Sequence, residues 1–87
     1  MAIWGADVEQ LRTLGTRLQS GASEIEQQRI NLSRMLDSTT WEGPDAKLFR
    51  SEWSSTHTSA LNQVIQALKD AGTKATQNAN EQDQASR

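Results

Sequence analysis

The sequence predicts an all-α protein: an antiparallel helix-turn-helix hairpin that pairs with a second hairpin into a four-helix bundle. Three observations lead there. Apolar residues recur at helical spacing in two long stretches of similar length. A turn with the sequence Trp41-Glu42-Gly43-Pro44 separates them near the middle of the 87 residues. The larger apolar side chains stop at Leu68, which leaves little bulk for a self-contained core in a chain this short. Stripes that the chain cannot cover by itself are covered by another chain.

Composition narrows the function classes. Apolar residues make up 34% of the chain, ten of them alanine, and there is no cysteine to staple a thin core. One histidine and no cysteine argue against a zinc or iron–sulfur site, and no cofactor is expected. The net charge is −2 with both signs interspersed. That pattern does not favour nucleic acid as a partner. No apolar run approaches the roughly 18 residues of a membrane span. Ile3 and Trp4 are followed at once by Gly5, Asp7 and Glu9, so no conventional secretory h-region is expected.

Residues 1–6 read as a short lead-in whose Ile3 and Trp4 lie against the end of the bundle. Asp7-Val8-Glu9-Gln10 then has the form of a helix start, with the Asp7 carboxylate able to reach the Gln10 amide. The first helix is expected over about 8–36. Counted in sevens, one seam line holds Trp4, Leu11, Leu18, Ile25 and Leu32, and the other holds Val8, Gly15, Ala22, Arg29 and Leu36. Gly15 and Ala22 allow a neighbouring helix to come close. Leu14, Ile30 and Met35 widen the stripe beyond a two-stranded seam. Arg29 breaks it. Such an arginine most often lays its methylenes on the apolar surface; less often it pairs with a carboxylate of a partner chain.

Asp37-Ser38-Thr39-Thr40 ends the first helix, because short polar side chains compete for backbone hydrogen bonds. The turn is expected over about 37–43. Gly43 permits backbone angles closed to other residues, and Pro44 suits the first position of a new helix. The second helix is expected over about 44–80. Its inner face reads Ala46, Phe49, Trp53, His57, Ala60, Val64, Leu68 or Ala67, Ala71 and Ala75, with Leu48, Leu61 and Ile65 widening it. Gly72 weakens the helix there, and residues 81–87 read as a flexible tail. The whole chain, 1–87, forms one unit.

No catalytic set is visible, and an enzyme is not expected. His57 falls four residues after Trp53. It reads either as a partly buried, hydrogen-bonded side chain or as a pH-sensitive contact between chains. Trp41, Phe49 and Trp53 form an aromatic cluster at the turn end. They close the bundle there, or they offer a partly exposed notch to another protein, since tryptophan is enriched in binding hot spots.

Trp41-Glu42-Gly43 between two helices, in a cysteine-free chain of this length, resembles the WXG family. These are the ESAT-like (Esx) proteins exported by type VII (ESX) secretion systems. The resemblance spans essentially the whole chain. It implies a hairpin that dimerises into a four-helix bundle, with itself or with a related WXG-like protein. It also implies export to the medium or cell surface by a route that needs no signal peptide and runs through the type VII secretion ATPase. The family's recognition element joins the Trp-x-Gly turn of one chain, here Trp41 and Gly43, to a C-terminal motif of its partner. That motif is Tyr-x-x-x-Asp/Glu in many mycobacterial members. This chain has no tyrosine and matches only the spacing, at Ala79 and Asp83. The expected dimer seam comprises Val8, Leu11, Leu18, Ile25, Leu32, Leu36, Leu61, Val64 and Leu68. The rival expectation is an intracellular adaptor or chaperone that uses the same stripe to hold a larger client.

Overall fold

A computed structural model describes residues 7–85. The placement expected of Ile3 and Trp4 lies outside them, as do Ser86 and Arg87. The described chain is an all-helical hairpin 64 Å long. Helix α1 runs Val8–Ser38. Asp7 starts it as expected, its carboxylate accepting from the Gln10 amide at 2.9 Å. The helix runs two residues beyond Leu36, so the link is shorter than 37–43. The hydroxyls of Ser38 and Thr39 end it by donating back to the Met35 carbonyl at 3.2 and 2.6 Å.

Gly43 reverses the chain at φ 113°, a conformation that side-chain-bearing residues rarely adopt. Pro44 opens helix α2, Pro44–Glu52. A π-helical turn, Trp53–His57, carries α2 into helix α3, Thr58–Ala85. The second arm therefore continues past residue 80, and residues 81–85 are helix rather than flexible tail. The reason is packing: Ala79 and Gln82 are buried against α1, and Arg12 donates to Asn80 at 3.2 Å and meets Asp83 at 3.6 Å.

The π turn changes which residues face inward. A π turn holds one residue more than the α-helical path it replaces. Ala46, Arg50 and Trp53 face α1 before it. After it the inward line is Thr58, Leu61, Ile65, Leu68, Gly72, Ala75, Ala79 and Gln82, all buried or half-buried. The inner face expected from unbroken α periodicity therefore fails in part: before the π turn Phe49 is 38% and Leu48 59% exposed while Arg50 is half-buried, and beyond it only Leu68 and Ala75 of the expected line lie inward. His57, Ala60, Ala67 and Ala71 are exposed, and Val64 is 47% exposed. Leu61 and Leu68 do lie inward, and Ile65 replaces Val64 at the centre.

Gly72 is not a weak point. A Cβ built there would lie 3.0 Å from the Gly15 carbonyl oxygen, and one built at Gly15 would lie 3.1 Å from that of Gly72. The two glycines let the helices touch backbone to backbone. Elsewhere the core is small: Ala22, Ala46, Ile65, Ala75 and Ala79 are its buried apolar side chains, and among the described residues no large side chain is fully enclosed.

Candidate functional site

The hairpin has two unlike sides. On one, polar groups spaced by sevens along α1 reach across to the second arm. Arg12 meets Asn80 and Asp83, as above. Gln19 donates to the Lys69 carbonyl at 2.8 Å, and Glu26 pairs with the Lys69 ammonium at 3.2 Å. The Trp53 indole N–H donates to Ser33 Oγ at 2.9 Å. These ion pairs are about 40% exposed, so they fix alignment more than they add stability.

The opposite side is apolar and uncovered. On α1, Leu14 is 50% exposed, Leu32 47% and Met35 63%. Leu11, Leu18 and Ile25 lie half-buried beside them, and Leu61, Val64 and Leu68 of α3 continue the surface. Val8 and Leu36 are half-buried on the line that faces α3. Arg29 is half-buried too, and its Nε is enclosed with no acceptor. Towards the turn this side deepens into an open groove lined by Leu32, Met35, Leu36, Thr39, Phe49 and Trp53.

The aromatic cluster stands at the turn end. Phe49 lies 6.0 Å from Trp41 and 6.1 Å from Trp53, ring centre to ring centre. His57 joins it, 6.2 Å from Phe49, with its Nε2 3.7 Å from Glu52. Trp41 is 41% exposed and Phe49 38%, so each ring shows part of its surface to solvent.

Arg50 holds this end together, and sequence reasoning did not single it out. Its guanidinium donates to the carbonyls of Trp41 at 2.6 Å, Thr39 at 3.0 Å and Leu36 at 3.3 Å. It also lies 5.9 Å from the Trp41 ring centre. The signal was present. Helix α1 has no basic residue in its last turn, so its final carbonyls need a donor from elsewhere. Arg50 stands four residues after buried Ala46. Replacing Arg50 by Ala is expected to destabilise the hairpin by about 2 kcal/mol in urea titrations, since hydrogen bonds to charged groups are the stronger kind. Lysine should restore little, because one ammonium cannot span three carbonyls.

The remaining site candidates lie elsewhere. Gly43 is exposed beside Trp41. Ala79 has no exposed surface, and Asp83 faces Arg12. Those two therefore sit within the closed hairpin at the end opposite the turn, where the alanine offers nothing to a partner. No cluster of metal-ligating side chains occurs among the described residues. No described helix is long and apolar enough to cross a membrane. No family model, curated protein or solved structure matches the chain.

Proposed function

We propose that this protein is a non-enzymatic, secreted helical hairpin of the WXG type. It would work as a dimeric four-helix bundle and leave the cell through a type VII (ESX) secretion system. One observation carries the reading: a half-exposed tryptophan on a glycine-reversed turn, clamped by Arg50, at the end of a hairpin whose apolar side is uncovered. In this reading the aliphatic side drives pairing with itself or a related WXG-like chain. Trp41 and Gly43 present a rigid feature to the secretion ATPase, with Phe49 and Trp53 supporting the ring from behind. The clamp matters because a pre-ordered side chain loses less entropy on binding. The enclosed position of Ala79 gives the C-terminal half of the signal less support than the turn. That favours a partner chain as its source.

Trp41→Ala tests the reading. Export to the medium should fall about tenfold or more, as for an interface hot spot, while helicity and dimer mass stay close to those of the parent. Unchanged export would leave Trp41 as packing only. The uncovered side also suits an intracellular adaptor holding a larger client. That reading gains if the protein stays in the cells and co-purifies with a non-homologous partner.

A further inference from the structure

We propose that Arg29 selects the partner of the apolar side, favouring a helix of a different chain that carries a carboxylate among its apolar residues. The inference rests on the pairing read above and adds the chemistry of the preferred partner.

Arg29 stands apart from the other half-buried cations of the described residues. Arg12 meets Asp83, Lys69 meets Glu26, and Arg50 is bound by three carbonyls. Arg29 makes no ion pair among the described residues, and its Nε, closed to water, has no acceptor.

The hairpin does not supply one. On a helix the side chains within reach stand three or four residues away. Ile25 and Leu32 fill two of those places. Glu26, three residues before, is paired with Lys69 across the hairpin, and Ser33, four after, accepts from the Trp53 indole. On the second arm, Trp53 and Leu61 line the same open pocket as Arg29. An indole N–H only donates, and leucine offers nothing. Glu24 borders the pocket too, but it stands five residues away and forms no ion pair with Arg29. The pocket shares Leu32 and Trp53 with the groove at the turn end. The cation therefore stands within the apolar side rather than beyond its rim.

A guanidinium in that place penalises an all-apolar neighbour. Covering it strips water from the charge and returns nothing. A carboxylate on the covering helix returns short, charge-assisted hydrogen bonds. A second copy of this chain is the poorer match. Its apolar side presents Leu14, Leu18, Ile25, Leu32, Val64 and Leu68, with no acid among them, and Glu24 is exposed at the edge. One polar residue in an apolar seam discriminates between partners in this way, at a cost in stability.

The test compares self-association with mixed pairing. Arg29→Met keeps an unbranched apolar stem and removes the charge. By light scattering across a dilution series it should self-associate about tenfold more tightly than the parent, with helicity no lower. The probes for the carboxylate are copies of the chain with Glu placed in the apolar side: Leu14→Glu, Leu18→Glu, Met35→Glu and Val64→Glu. Each is labelled and titrated with the parent and with Arg29→Met. At least one should bind the parent about tenfold more tightly than it binds Arg29→Met. Self-association of Arg29→Met no tighter than the parent's, or no probe that prefers the parent, overturns the selection and leaves the pairing standing. So does a parent weakened by Glu24→Gln, because a second copy would then supply the acceptor. Folded monomers of parent and Arg29→Met at every concentration overturn both.

Discussion

Deleting Ser55 should leave the hairpin folded and at least as stable, whereas deleting Gln27 should unfold it. Both residues are exposed and lie inside helical stretches. The difference is the π turn. Inward positions before it end at Trp53 and resume at Thr58, a step of five where an α-helix takes three or four. Removing one residue shortens that step to four, and Leu61, Ile65 and Leu68 still face α1 on a regular helix. Helix α1 has no spare residue. Without Gln27, one half of it rotates by roughly 100° relative to the other. The half that stays aligned could not keep both the Gly15–Gly72 contact and the Ser33–Trp53 bond. Burial of a Leu or Ile side chain is worth roughly 1.5–3 kcal/mol. Losing several approaches the 5 kcal/mol at which the stability of small domains begins. Circular dichroism with urea titration separates the two outcomes. Loss of structure on deleting Ser55 would mean the turn is needed for more than alignment.

The glycine contact gives the second large effect. Gly72→Ala places a methyl 3.0 Å from the Gly15 carbonyl oxygen and 2.7 Å from Gln19 Nε2. The glutamine can swing away, but only by giving up its bond to the Lys69 carbonyl. The backbone oxygen moves only if the helices separate. Overpacking of this kind costs about 1–3 kcal/mol, against a gain of about 1 kcal/mol in helix propensity. The net expectation is a loss of up to about 2 kcal/mol. Gly15→Ala should behave alike, because Thr76 Oγ1 would lie 2.7 Å from its Cβ. Gly21→Ala is the control. Nothing stands within 4 Å of where its Cβ would lie, so it should stabilise the hairpin by about 1 kcal/mol. Thermal unfolding of the three variants reads the signs directly, and a stabilising Gly72→Ala would remove the close-contact account.

These two regions also mark how far the fold could be read from sequence. The seam of α1 was legible because its seven-residue repeat runs from Val8 to Leu36 with only Arg29 interrupting it, and Asp7 announces its start. The turn was legible because Gly43 and Pro44 each have a narrow conformational use. In the second arm, periodicity puts Val64 at the centre of the inner face and Ile65 at its edge, and the structure reverses the two, although Leu68 and Ala75 lie inward as expected. Periodicity assumes a constant twist, and the Trp53–His57 segment departs from it. The local hint is the Ser-Ser-Thr run: Ser54 and Ser55 both donate to the Ser51 carbonyl, and Thr58 donates to that of Ser54. Such bonds compete with regular helix, but hydroxyl side chains often sit in helices without a π turn. Gly72 read as a weak spot because its compensation, Gly15, is 57 residues away. The role of Arg50 does not follow from periodicity either, since its acceptors, the carbonyls of Leu36, Thr39 and Trp41, belong to the end of α1 and the turn rather than to its own helix. At the candidate site, Trp41, Phe49 and Trp53 were brought together as the spacing implied. Ala79 and Asp83 matched a motif by spacing alone, and spacing could not reveal that they face inward.

The account turns on the uncovered apolar side being an association surface. Light scattering across a dilution series, with circular dichroism on the same samples, tests this most directly. A highly helical dimer, dissociating on dilution with loss of helicity, is the expected result. A poorly helical monomer would also fit an association surface, one made for a related partner chain, and adding that partner should then restore helicity. A well-folded monomer at every concentration would contradict the account, because Leu14, Leu32, Met35 and Val64 would then face water without a partner.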